Sequence, residues 1–251
     1  MAEHKFPSEV IDLPSEGKLY PEGHPCSDGK IEIKYMTAKE EDILTSQNLI
    51  KKGVVIDRLL DSLILTNGIK SDDLLMGDKN AVMVAARILA YGPEYTCEVT
   101  NPNTGEKLQT NFNLADCPFK KLPDGVTENN FEVELPISKT KVTFKLLNGH
   151  EENQVEADVK ASSKIGTDVK PELTTRLRHV ITSVNGDSTQ SIINNFAVNL
   201  LARDSMHLRN EIRKVTPDIE LSQEVEIGGE SVKVDIPMTV GFFWPEAARQ
   251  A

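Results

Sequence analysis

The chain has 251 residues, of which 39% are hydrophobic and 27% charged, and it carries a formal net charge of −11. That length and apolar share allow one or two compact cores. The absence of any run of about 18 apolar residues argues against a membrane-crossing helix, and the acidic balance opposes broad contact with a phosphate backbone, so neither membrane nor nucleic acid is an expected partner.

The first residues, Met1-Ala2-Glu3-His4-Lys5, lack an apolar signal segment. Cys26, Cys97 and Cys117 are too few and too scattered for a disulfide framework, so a reducing cytoplasm is the expected setting. Residues 1–30 predict an extended N-terminal arm, because Asp12-Leu13-Pro14-Ser15-Glu16-Gly17 and Tyr20-Pro21-Glu22-Gly23-His24-Pro25 are dense in turn formers and helix breakers. Ile31-Glu32-Ile33-Lys34-Tyr35 alternates with the period of a half-buried strand.

Thr37 and Glu40 form a capping-box signature for a helix running to about Leu49, and Gly53 separates it from the next. Ile56, Leu59, Leu60 and Leu63, then Val82, Ala85, Ala86 and Leu89, follow helical spacing, with Asp78 as the N-cap of the second set. Thr96–Val99 and Leu108–Leu114 predict a hairpin. Phe131–Ile137 and Lys141–Leu147 predict a further strand pair, followed by helices over about 150–162, 171–183, 188–202 and 205–214. Val225–Ile227 and Ser231–Ile236 close the series as a last hairpin, ahead of Gly241-Phe242-Phe243-Trp244-Pro245.

Two stretches match in order. Leu74-Leu75-Met76-Gly77-Asp78 and Leu200-Leu201-Ala202-Arg203-Asp204 each precede an arginine nine positions past the aspartate (Arg87, Arg213), and Pro93 and Pro217 each precede a hairpin. The pattern predicts an α+β fold in which helical bundles carry β-hairpins. Two pseudo-repeated lobes, 31–125 and 126–251, follow the extended arm. Asp78 and Asp204 read as helix caps in preference to a catalytic carboxylate pair with His207.

Signatures for phosphate, zinc, acyl-transfer and calcium chemistry are missing, and His4, His24, His150, His179 and His207 are widely spaced. No catalytic residue, cofactor or metal is therefore expected. The turn Asn101-Pro102-Asn103-Thr104-Gly105-Glu106 has the frame of a zinc knuckle, but Asn101 and Thr104 stand where thiolates are needed. Cys97 and Cys117 read as buried structural thiols. Phe242, Phe243 and Trp244 are either a plug for the chain's own core, the preferred reading, or an anchor for a partner.

At Asp12-Leu13-Pro14-Ser15-Glu16-Gly17-Lys18-Leu19-Tyr20-Pro21 and Lys51-Lys52-Gly53-Val54 the sequence resembles the baseplate proteins of T-even-type phages, marked by a Leu-Pro-Ser and a Lys-Gly-Val motif. Tyr35–Leu44, Leu74-Leu75-x-Gly77-Asp78 and the terminal Phe-Phe-Trp-Pro support the resemblance across essentially the whole chain. It implies a non-enzymatic protein needed to build the baseplate hub. Such a protein is either a subunit kept in the virion or an assembly chaperone acting in the host cytoplasm. Its partners would be other hub or tail proteins, with Leu13, Pro14, Leu19, Tyr20, Phe242, Phe243 and Trp244 as candidate contacts. The family brings no catalytic residues, and the missing knuckle cysteines depart from its pattern. A metal-dependent interaction module and an enzyme of another class are the alternatives.

Overall fold

The computed structural model describes residues 7–243 apart from 102–103, 106, 164–169, 228–229 and 239. The chain opens with β1 (Ser8–Asp12), antiparallel to β2 (Lys30–Lys34), with Ile11 opposite Ile31. The alternation of β2 places Ile31 and Ile33 inside, at 1% and 0% exposure. Three helices follow: α1 (Ala38–Thr45), α2 (Gln47–Lys52) and α3 (Val55–Leu63). The capping box forms as predicted, with Glu40 accepting from the Thr37 N–H at 3.0 Å and hydroxyl at 2.6 Å. Burial works to raise the Glu40 carboxyl, but Lys34 at 2.8 Å and the Thr37 donors outweigh it and hold it down at about 2. The single helix expected to Leu49 breaks at Ser46, whose backbone is extended and whose carbonyl accepts from Leu49 and Ile50 to start α2.

After α3, Ile64 bridges to Ile33 and the Leu65 N–H donates to the Glu32 carbonyl, adding a short third strand beside β2. A 3-10 turn at Ser71–Asp73 leads into α4 (Met76–Tyr91), and the hairpin of β3 (Glu94–Thr100) and β4 (Lys107–Asn113) follows. A short β5 (Phe119–Lys120) ends this half.

The second half begins with β6 (Phe131–Glu134) and β7 (Lys141–Phe144), followed by α5 (Gly149–Ser163) and α6 (Glu172–Val180). The helix expected over 171–183 stops at Val180, because Ile181–Val184 leaves it as β8 and pairs with β7. The β-branched Ile181, Thr182 and Val184 fit that pleated edge better than a helix end. Next come α7 (Gln190–Asn199), α8 (Ala202–Val215), β9 (Asp218–Ile219) paired with β5, and the hairpin β10 (Ser222–Ile227) and β11 (Glu230–Asp235).

The fold is mixed α+β, with helices and small sheets around two cores. One gathers Leu13, Ile33, Leu59, Leu74, Val82 and Phe112; the other gathers Leu135, Phe144, Val155, Leu177, Ile193 and Leu208. Two expectations change here. From residue 7 onward the predicted arm is folded onto the body, with Leu13, Leu19 and Cys26 buried. The C-terminal hairpin, read as part of the second lobe, returns Val232, Val234, Ile236, Phe242 and Phe243 to the first core. Its alternation decides which face is apolar, whereas the β5–β9 pairing decides which core that face meets.

The halves meet where Gly77 in the first turn of α4 faces the chain leaving α8. A Cβ on Gly77 would stand 1.9 Å from the Pro217 carbonyl oxygen, so only glycine allows this approach. Asn80 donates to Asp218 across the joint at 3.1 Å, and Leu19, Leu75 and Leu146 form a small apolar cluster of their own. Gly77→Ala is therefore expected to destabilise the protein by about 1–3 kcal/mol. Urea unfolding tests this, and an unchanged midpoint would show that the joint can give way at no cost.

Candidate functional site

The sequence motifs converge on Asp78. Leu75 is the N-cap of α4, with φ −62° and ψ 148°, so Asp78 lies inside the first turn and does not cap the helix, as the spacing had suggested. Its side chain, fully buried, turns to the segment after β1. Oδ1 accepts from the Ser15 N–H at 2.9 Å, while Oδ2 accepts from the Ser15 hydroxyl at 2.6 Å and the Tyr20 hydroxyl at 2.7 Å. Tyr20 in turn accepts from the Leu75 N–H at 3.0 Å, so one phenol satisfies both the carboxylate and the helix start.

Leu13, Ser15 and Gly17 in the segment Leu13-Pro14-Ser15-Glu16-Gly17 each have a physical task. Leu13 enters the first core and its N–H donates to the Gly29 carbonyl at 2.8 Å. Ser15 reaches Asp78 twice, and its hydroxyl also accepts from the Gly17 N–H. Glu16 and Gly17 both have positive φ, 52° and 76°. A Cβ on Gly17 would come within 2.5 Å of Gly29 N and Ser27 O, so glycine is required where this strap crosses its own return.

Asp204 occupies the corresponding place in α8, after the N-cap Leu201 with φ −61° and ψ 141°. It accepts from the backbone N–H groups of Ile137 at 2.8 Å and Ser138 at 3.0 Å, just after Leu135-Pro136. Each carboxylate is thus committed to donors of its own half. Their titrations shift in opposite senses. Burial pushes the Asp78 carboxyl above its ordinary value against the pull of Ser15 and Tyr20. Burial also opposes ionisation of Asp204, but the N–H groups of Ile137 and Ser138 prevail and hold its carboxyl below the ordinary value.

The structure also describes the other predicted contact residues apart from Trp244. Pro14 is buried and Tyr20 half-buried, and Phe242 and Phe243 are each 1% exposed. The Phe242 carbonyl accepts from Arg87 Nε at 2.9 Å, while the same guanidinium donates to the carbonyls of Gly92 and Glu94. Arg87 therefore ties the end of α4 to the C-terminal segment. Trp244 lies outside the described residues. The three cysteines are free thiols raised by burial, Cys26 to about 12. His150 and His179 are hydrogen-bonded to Asp73 and Asp158, and His24 stacks on Tyr20 at 4.5 Å. Among the described residues no group of three or more His, Cys, Asp or Glu side chains is placed to hold a metal ion.

Sequence reasoning missed a different surface. Ile137, Val198, Leu201 and Met206 are 44%, 54%, 50% and 54% exposed, and all belong to the first turns of α8 or to segments meeting it. Their spacing looks like that of core residues, so periodicity gives no signal for their exposure.

Tyr20→Phe is expected to cost about 1.5–3 kcal/mol, the worth of a hydrogen bond to a charged group. Asp78→Ala should cost more, roughly 4 kcal/mol, because it leaves three donors buried without an acceptor. Chemical denaturation of the single and double variants would measure both, and additive losses would deny that the Tyr20 hydroxyl and the Asp78 carboxylate are coupled. The pH dependence gives a second check. The stability due to Asp204 is present above the ordinary carboxylate value and lost as pH falls through its lowered value, so Asp204→Asn should flatten the acid limb. The contribution linked to Asp78 has the opposite slope and is lost as pH rises through its raised value.

A protein-family model described as T4 bacteriophage base plate protein matches residues 7–244. Comparison with curated proteins and with solved structures gives no match.

Proposed function

The chain belongs to the family of T4 bacteriophage base plate proteins, and from that premise we propose that it serves as a structural or assembly component of the phage baseplate hub. It acts by binding other baseplate proteins, without catalysis and without a cofactor. The family match over residues 7–244 carries this reading. The commitment of Asp78, Asp204 and Arg87 to internal hydrogen bonds supports a scaffold role for these buried groups.

We further infer that the two halves are a duplication. Leu13-Pro14 and Leu135-Pro136 precede the straps, Asn67-Gly68 and Asn185-Gly186 follow the third strands, and Asp78 and Asp204 clasp strap N–H groups from equivalent helix turns. This correspondence gives the exposed patch a meaning. In the first half, Leu75 and Gly77 are covered by the second half. Their counterparts Leu201 and Arg203 are exposed. The face around Leu201 is thus the place for another baseplate protein. Arg203 stands where Gly77 admits Pro217, which favours a different protein with an acidic rim over a second copy docked in the same way.

The test is co-purification from infected cells with tagged wild-type, Leu201→Glu and Met206→Glu chains. Both variants should retain the circular-dichroism spectrum of the wild type and lose the baseplate proteins recovered with it. Undiminished recovery with both variants would count against this surface, and failure of wild type to recover any baseplate protein would count against the binding role. The same eluate shows which hub protein is bound, and mass spectrometry of purified virions distinguishes a retained subunit from a departing chaperone.

A further inference from the structure

Away from the straps and the joint, the second half holds a polar cleft of about 670 Å3 between α5, α6, β8 and α7. Thr175 and Arg178, three positions apart on one face of α6, line it together with Thr182 and Asn194. Most polar groups in the wall are engaged. Glu151 pairs with Lys145 and accepts from the Asn148 N–H, Asp158 accepts from His179 and Gln154, and the Thr182 and Thr143 hydroxyls share a hydrogen bond.

Among the described residues, Arg178 Nε and Thr175 Oγ1 are buried without a hydrogen-bond partner, and Thr175 is only 3% exposed. A guanidinium cannot discard its charge by deprotonation, and a buried donor without an acceptor is costly to fold. The charge of Arg178 is felt by Asp158, but that carboxylate is already taken by His179 and Gln154.

We propose that this cleft binds a carboxylate, with Arg178 as its charged donor and Thr175 as a second donor. The Nε–H edge of a guanidinium matches the two oxygens of a planar carboxylate, and the neighbouring hydroxyl adds a third hydrogen bond. Glu151 and Asp158 in the wall oppose a dianion more strongly than a monoanion, which selects a carboxylate over phosphate. The carboxylate belongs either to an acidic side chain of a bound protein or to a small free acid.

Thermal unfolding of the full chain at constant ionic strength tests this, with acetate, a terminally blocked glutamate-containing peptide and inorganic phosphate as probes. The carboxylates should raise the wild-type midpoint in a saturable manner. Arg178→Gln changes a half-buried side chain whose Nε has no partner among the described residues, so it should fold, and it should weaken the response by roughly tenfold or more. Arg178→Lys, which keeps the charge but loses the fork, should weaken it too, as should Thr175→Val. A response to the peptide at lower concentration than to acetate assigns the site to a protein side chain, and the reverse order assigns it to a free acid. No midpoint shift with any carboxylate, an equal shift in Arg178→Gln, or a stronger response to phosphate would each overturn the proposal. The first of these outcomes would mean that water satisfies both groups.

Discussion

An ionisable carboxyl group buried in the first turn of a helix must be given donors or it will cost the fold more than its helix contributes. In this chain Asp78 and Asp204 both meet that demand from a segment that has just passed a Leu-Pro pair, Asp78 with the Ser15 N–H and two hydroxyls and Asp204 with two backbone N–H groups. The leucine fills the core, the proline ends the strand, and the next amides point at the helix. The remaining architecture is arranged around these two clasps.

The first clasp reaches further than the second. Its strap continues through Tyr20, whose hydroxyl joins Asp78 to the Leu75 N–H, and Leu19 places an apolar side chain between the halves. The same first turn contains Gly77, which admits the backbone at Pro217. One helix start therefore fixes the N-terminal strap and the second half together. The chain then returns to the first core through β9 and the last hairpin, where Arg87 takes the Phe242 carbonyl. The N- and C-terminal segments thus serve one core, and the second half is held between them.

Much of this was legible in local pattern. The capping box of Thr37 and Glu40, the alternation of β2 and the hairpin β3–β4 depend on residues near one another, and they form where the sequence places them. The density of turn formers in residues 12–25 was legible as irregular backbone. What it could not show was that Ser15 has its acceptor 63 positions away. Without that acceptor in view, the segment reads as an arm. β8 was hidden because Ile181 and Val184 also suit the apolar face of the preceding helix, and only pairing with β7 chooses between the two. The aromatic end was recognisable as an apolar plug, though its destination in the first core depends on a sheet pairing that no local period encodes. Leu201 and Met206 carry no mark of exposure either, since an interface face and a core face have the same period.

Amide hydrogen exchange resolved to single residues is the most direct measurement of the two-clasp architecture. The Ser15, Ile137 and Ser138 amides lie in short turns that would exchange quickly if held by nothing else, so protection approaching that of core strands is expected at all three. Asp78→Ala should release Ser15 while leaving Ile137 protected, and Asp204→Ala should do the reverse. Rapid exchange at these amides in the wild-type protein, or protection that survives loss of the facing carboxylate, would contradict the account.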